Sequence, residues 1–281
     1  MDTMTNTTGA LQGALKQKVE ACQKTLRELG TVLVAFSGGV DSSYLLALAV
    51  RTLGAGKVLA AMAVSTIFPQ RDARAGRALA RELGVELVEL STAHLADPAF
   101  TSNPADRCYY CKSRFMSQLK QLAAERGLAA VVSGANADDR GDYRPGARAE
   151  VELGIRRPLQ DAGLTKAEIR EASAAIGLAT ARQPSLACLA TRVPYGEPIT
   201  REKIARIEAG EEMLLGLGFS QCRVRDHGTV ARVEVPADEL DDALRQRQEV
   251  VRRLKDLGYT YVTLDLEGFR SGSMNQALNL G

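Results

Sequence analysis

One stretch constrains this chain more than any other. Residues 32–36, Val-Leu-Val-Ala-Phe, make a short apolar run; Ser37-Gly38-Gly39-Val40-Asp41-Ser42-Ser43 follows, and a second apolar run extends from Tyr44 to Val50. The pattern predicts a buried strand that turns sharply into a helix. Its glycines permit the tight turn, and Asp41, Ser42 or Ser43 is placed to cap the new helix. Turn amides and the positive end of a helix together make a site for phosphate. No lysine follows the glycines, so this is not the G-x-x-x-x-G-K-[ST] nucleotide loop.

The flanking pattern sets the fold class. Strands are predicted at 58–64, 85–90 and 129–133, alternating with helices at 11–29, 71–83 and 113–126. Such alternation gives an α/β, Rossmann-like fold: a parallel sheet with helices on both faces. Ligands in these folds sit at the carboxyl ends of the strands. Two such ends are Val64 with residues 65–68, and Ser133-Gly134-Ala135-Asn136-Ala137-Asp138-Asp139. Asn and Asp oxygens there could hold a nucleotide or its magnesium, although the same residues favour plain turns. Residues 140–150, charged and broken by Gly and Pro, predict a mobile loop over the site. Thr165 and Glu168 form a capping box, and Lys166 between them opposes the helix dipole.

The character changes after residue 181. Residues 183–196 carry Pro184, Pro194 and Gly196, which argue against a helix and for a boundary. Beyond it come a predicted helix at 200–217, a hairpin at 223–235 turning at His227-Gly228, a helix at 237–257 and a strand at 259–266. The expected organisation is a disordered N-terminus (1–14), a nucleotide domain (15–182) and a small α+β domain (183–281). A chain of 281 residues can bury either one large or two medium cores. No apolar run approaches the roughly 20 residues that span a bilayer, and residues 1–9 lack a signal-like apolar core, so a cytoplasmic enzyme is expected. A net charge of +2 argues against nucleic acid as a general partner.

Cysteines and arginines supply the candidate chemistry. Cys108 and Cys111, in Arg107-Cys108-Tyr109-Tyr110-Cys111-Lys112 just before a helix, suit a redox dithiol, half of a zinc site or part of an iron–sulfur cluster. There is no second C-x-x-C, but Cys188 in the boundary loop brings the set to three. Beside Arg192, Cys188 could equally act alone as a nucleophile, since nearby positive charge favours a thiolate. Cys22, on an apolar helical stripe, and Cys222 read as structural. Arg223 and Arg225 share one face of a strand. With Arg270 they could clamp an anion through their planar forks, although salt bridges to Asp226 or Glu234 are a plainer use. His94 and His227 are too scattered for a metal site or a triad.

The Ser37–Ser43 stretch resembles the PP-loop of ATP pyrophosphatases, adenine nucleotide alpha hydrolase-like folds that split ATP into AMP and pyrophosphate to activate an oxygen. Taken with Asn103-Pro104, the Cys108–Cys111 motif, Ser133-Gly134-Ala135-Asn136 and Ala187-Cys188-Leu189-Ala190-Thr191-Arg192-Val193-Pro194-Tyr195-Gly196, it is similar to the LarE sulfur transferases over about residues 15 to 275. The resemblance implies maturation of the nickel-pincer nucleotide of lactate racemase. ATP with Mg2+ would adenylate a carboxylate of a pyridinium dicarboxylate mononucleotide, and sulfur would displace AMP to give a thiocarboxylate. By resemblance, ATP is held by Ser37, Gly38, Gly39, Asp41, Ser42, Ser43, Val64, Gly134 and Asn136. Asp41 and Cys188 carry the chemistry, and Arg192, Arg223, Arg225 and Arg270 hold the substrate phosphate. Cys108, Cys111 and Cys188 would ligate a [4Fe–4S] cluster that carries sulfide from a sulfur donor; the other route in the family sacrifices the sulfur of Cys188. A homo-hexamer is implied. A tRNA thiolase, tested by steeply salt-dependent tRNA binding, and a non-catalytic adenine-nucleotide module are the alternatives.

Overall fold

In a computed structural model, which describes residues 11–140, 145–184, 186–270 and 272–274, the opening stretch folds as its pattern predicts. The chain order is α1 (Gly13–Leu29), β1 (Val32–Ala35), α2 (Val40–Leu53), β2 (Val58–Val64), α3 (Gln70–Glu82), β3 (Glu86–Ser91), α4 (Pro98–Thr101), α5 (Arg107–Glu125) and β4 (Ala130–Ser133). It continues with α6 (Pro145–Glu152), α7 (Pro158–Asp161), α8 (Lys166–Ala175), α9 (Arg201–Gly216), β5 (Arg223–His227), β6 (Val230–Glu234), α10 (Leu240–Arg245), α11 (Arg247–Asp256) and β7 (Tyr261–Leu264). Two compact units emerge. The first is Met1–Ser65, Gln70–Thr92 and Cys108–Leu186; the second is Thr66–Pro69, Ala93–Arg107 and Ala187–Gly281.

The first unit is a four-stranded sheet in the order β3-β2-β1-β4, with every pair parallel. β1 is central and almost wholly apolar, as a parallel strand covered on both faces must be. Successive side chains alternate between the faces. Val32 and Val34 join a core with α1, α2, α3 and α8, while Leu33, Leu59 and Ala61 join one with Met116, Leu119 and Ala123 of α5. α2 buries Tyr44 through Ala49 without interruption, which holds its first turn at the end of β1. The expected disordered stretch 1–14 falls, for residues 1–10, outside the described residues; Leu11 is buried and α1 starts at Gly13.

Two segments differ from expectation. α5 begins at Arg107, six residues before the predicted start, so the cysteine pair lies within its opening turns rather than ahead of them. The stretch expected as a mobile loop at 140–150 contains α6 instead; of the rest, residues 141–144 lie outside the described set. Gly and Pro misled there for a physical reason. Pro145 is the first helical residue, where a fixed φ favours helix entry. Gly146 lets α6 lie close on α5, since a Cβ would stand 2.9 Å from Lys112 Cδ.

The second unit has a three-stranded sheet ordered β5-β6-β7, antiparallel between β5 and β6 and parallel between β6 and β7. α9 and α11 cover it through Leu214, Val250 and Leu254. The hairpin turns at Gly228-Thr229, one residue later than expected, because Val230 pairs directly with His227. The helix expected at 237–257 parts at Gln246 into α10 and α11. Ala243 and Val250 still reach the same core, so apolar spacing alone hid the break. Among the described residues, no helix is long and apolar enough to cross a membrane.

Candidate functional site

The turn after β1 leaves a helix end open. α2 starts at Val40 with Gly39 at the cap position, and no side chain among the described residues caps it. The expected cap by Asp41, Ser42 or Ser43 is therefore absent, because all three lie inside the first helical turn. Ser42 Oγ instead works backwards: it accepts from Ser37 N at 3.2 Å, donates to Gly39 O at 3.1 Å and lies 3.0 Å from Ser37 Oγ. Gly38 adopts φ of 75°, and a Cβ there would meet Asp72 O at 3.2 Å. The result is a stiff turn whose first-turn amides are not capped by any side chain among the described residues, an arrangement suited to a phosphate chain. Ser43 is fully buried in the same turn.

The end of β4 closes over this helix. A Cβ on Gly134 would stand 2.8 Å from Ser42 N. Asn136 and Asp139 cap their turn reciprocally, and the Asn136 carbonyl accepts from Gln160 at 2.9 Å. Asn136 is thus held as the turn's capping residue. Asp138 Oδ2 accepts from Lys166 N at 2.8 Å, which joins the turn to the start of α8. The predicted capping box of Thr165 and Glu168 is present, with Lys18 bound to Glu168 at 2.7 Å. From that anchored position Lys166 Nζ reaches the Asp41 carboxylate. The other oxygen, Asp41 Oδ1, is buried with no hydrogen-bond partner among the described residues. Val64 ends β2, and its carbonyl accepts from Thr92 N at 3.1 Å.

On α5, Cys108 and Cys111 are one turn apart and both partly exposed. The surrounding side chains lock α6 onto this turn. Tyr109 donates to Glu152 at 2.7 Å beneath the Arg148 guanidinium, and Lys112 lies 2.6 Å from buried Glu150, which accepts from Ser133. Among the described residues, no group of three or more His, Cys, Asp or Glu side chains is gathered as a metal site. Cys22 is inert: burial, reinforced by Asp161, pushes its thiol up to about 12. Cys222 is buried and donates to Glu211 O at 3.5 Å.

In the second unit Cys188, partly exposed, leads into a tight turn at Leu189–Arg192. Buried Asn103, at the unusual φ of 56°, donates to Pro194 O at 2.7 Å and accepts from Arg107 at 2.5 Å, while its carbonyl takes Gly196 N at 2.9 Å. Leu189 N reaches Ile67 O at 2.7 Å. The arginines expected to clamp an anion are mostly engaged within the protein. Arg192 is bidentate on Glu211, Arg225 is bidentate on Glu234 and Arg270 pairs with Glu267. Arg223 donates to Cys222 O at 2.7 Å and stacks on Phe269. Burial first, then the charges of Arg192 and Arg225, lower its pKa to about 10 although Glu211 opposes.

A family model described as NAD synthase matches residues 9–107. A protein of Lactiplantibacillus plantarum named pyridinium-3,5-bisthiocarboxylic acid mononucleotide synthase is 40% identical over 253 residues, covering 90% of this chain and 92% of its own length. The chain belongs to this synthase family. An uncharacterized protein of Synechocystis is 38% identical over 94% of this chain and 99% of its own length. A subunit of the glutamine-hydrolyzing GMP synthase from Methanosphaerula palustris is 29% identical over 73% of this chain and 68% of its own.

Two residues of this synthase family member escaped sequence reasoning. Lys166 carried a signal, a lysine where the helix dipole disfavours one, but its partner Asp41 lies 125 positions away. Glu211 stands out in the sequence only as one acidic residue of the second domain able to hold metal, and its burial beside Arg192 is decided by packing.

Proposed function

We propose that the chain adenylates a carboxylate of pyridinium-3,5-biscarboxylic acid mononucleotide with ATP, releasing pyrophosphate, and converts the acyl adenylate to a thiocarboxylate for nickel-pincer nucleotide synthesis. The observation that carries the reading is the uncapped first turn of α2 with Lys166 delivered to Asp41 beside it. A phosphate chain laid on that turn meets amides from α2 and a cation from α8. Asp41 Oδ1, buried with no hydrogen-bond partner among the described residues, would suit a Mg2+ ion bound with the nucleotide. The carboxylate oxygen attacks the α-phosphorus, the bond to pyrophosphate breaks, and Lys166 and the α2 amides take up the leaving charge; a Mg2+ ion held by Asp41 would supply further positive charge there. Sulfur then attacks the acyl carbon, and AMP leaves with the carboxylate oxygen.

Residues 15–182 serve adenylation in this reading, and residues 183–281 serve substrate binding and sulfur transfer. Arg223 and Arg225, which share one face of β5, would meet the substrate phosphate together with Arg270. Thiols are the right donors for iron, and two of the three, Cys108 and Cys111, already share one helical turn. With Cys188 they would hold a [4Fe–4S] cluster, which when bound supplies an open iron site that carries sulfide. Sacrifice of the Cys188 sulfur, leaving dehydroalanine, is the competing route. The active species is a homo-oligomer, a hexamer by resemblance.

The test is anaerobic incubation of the purified protein with the dicarboxylate nucleotide, ATP, Mg2+ and sulfide, followed by analysis for AMP, pyrophosphate and thiocarboxylate. All three are expected, with iron and acid-labile sulfide in the protein. Failure to form AMP refutes adenylation. An iron-free protein whose Cys188 loses hydrogen sulfide on turnover replaces the cluster route with the sacrificial one.

A further inference from the structure

Both peptide groups that flank Cys188 are held by a single buried cation. Arg192 is 1% exposed, and its Nη1 donates to Ala187 O at 3.0 Å, Cys188 O at 3.0 Å and Thr191 Oγ1 at 2.8 Å. The Ala187 carbonyl belongs to the peptide before the cysteine and the Cys188 carbonyl to the peptide after it. Fixing both planes fixes the backbone dihedrals of Cys188 and hence the direction of its Cα–Cβ bond. Thr191 adds a second tie, its hydroxyl donating to Cys188 O at 2.8 Å.

The far side of the guanidinium is equally constrained. Glu211 of α9, also 1% exposed, accepts Nε at 2.8 Å and Nη2 at 3.0 Å, and takes Val224 N at 3.3 Å from β5. Glu211 is thereby locked to the sheet of the second unit, and Arg192 carries that rigidity to the cysteine. A paired carboxylate and a planar fork give this geometry; a lysine, with one nitrogen, cannot grip Glu211 and the loop carbonyls together.

We propose that Arg192, oriented by Glu211, is the positioning residue that aims the Cys188 sulfur, rather than a ligand of the substrate phosphate. The inference rests on the sulfur-transfer reading above. In the reaction the acyl adenylate partitions between sulfur attack and hydrolysis, so the yield of thiocarboxylate per AMP reports how well the sulfur is aimed.

The experiment compares wild type with Arg192→Lys and with Arg192→Met/Glu211→Leu, which removes both buried charges and leaves neither orphaned. Thiocarboxylate per AMP should fall at least tenfold in both variants, since misplacing a reacting group by about 1 Å can cost about 100-fold in rate. The double variant should melt close to wild type while transfer stays impaired. A merely structural pair would instead return both melting and coupling in the double variant. A phosphate ligand would raise the substrate KM with coupling intact. Either result overturns the proposal. A second measurement needs no substrate: iodoacetamide labelling of Cys188, referenced to Cys111 in the same peptide map, should change severalfold in both variants. Unchanged labelling overturns the positioning role, whereas wild type that makes AMP but no thiocarboxylate overturns the sulfur-transfer reading instead.

Discussion

Replacing Gly134 with alanine tests whether the close approach of β4 and α2 builds the phosphate site. The added Cβ would stand 2.8 Å from Ser42 N, 3.0 Å from Ser42 Cα and 3.1 Å from Asp41 C, all backbone atoms that cannot rotate away. Ordinary contact begins near 3.4 Å, so the two elements must part by about 0.6 Å. Gly134 is not in the left-handed region, so the penalty is steric and not conformational. Neither partner yields readily. Ser133 N is tied to Arg156 O at 2.9 Å, and α2 is buried without a break from Ser42 to Ala49. Overpacking of this kind costs about 1–3 kcal/mol. Separation also withdraws the Ser42 amide from a phosphate, and a loss of about 1.4 kcal/mol in binding is tenfold. Expected outcomes are a drop of about 2 kcal/mol in unfolding free energy by urea titration and a tenfold rise in the ATP KM of pyrophosphate exchange. Gly56→Ala is the control, because its Cβ meets nothing within 4 Å; it should stay within about 0.5 kcal/mol of wild type. Equal behaviour of the two variants refutes the reasoning.

Lys166→Met should raise the Kd for ATP by tenfold or more, since a charge-assisted hydrogen bond is worth about 1.5–3 kcal/mol; isothermal titration with ATP·Mg checks it. Asp41→Ala should abolish AMP formation. Cys188→Ala should retain it and lose thiocarboxylate, so an intact thiocarboxylate yield in the latter refutes the division between loop and cysteine. Burial pushes the Glu234 carboxyl up, but hydrogen bonds and charge from Arg225, with Ser273 and Arg232, outweigh it and leave it below the usual glutamate range. A lowered folded pKa means that the native state binds fewer protons than the unfolded state. Its stabilisation is complete above the ordinary glutamate range and is lost as pH falls through the folded value. Urea titrations from neutral to acid pH should show that loss, and Glu234→Gln should flatten it.

Family membership is legible in the bare chain because it resides in contiguous motifs. The strand, the Ser37–Ser43 turn and the helix after it follow from apolar runs and two glycines, and the Thr165–Glu168 box follows from spacing three residues apart. These are local interactions, and a linear text records them. Asn103 and the Val193–Gly196 segment are equally visible as motif residues, but only folding shows that they bind each other across 90 residues. What the text does not record is which charged side chains become buried and whom they meet. Arg192 reads as a phosphate ligand in the sequence, whereas in the fold Glu211 and the flanking carbonyls occupy its donors, and a stretch of Gly and Pro that reads as a loop starts α6. Desolvation is the physical reason: a charge taken out of water must find a partner, and that partner is chosen by packing among distant segments. Sequence alone therefore determined the glycine turn that opens α2 and the motifs that carry Cys108, Cys111 and Cys188. Tertiary structure decided that Lys166 completes the turn and that Arg192 holds the cysteine.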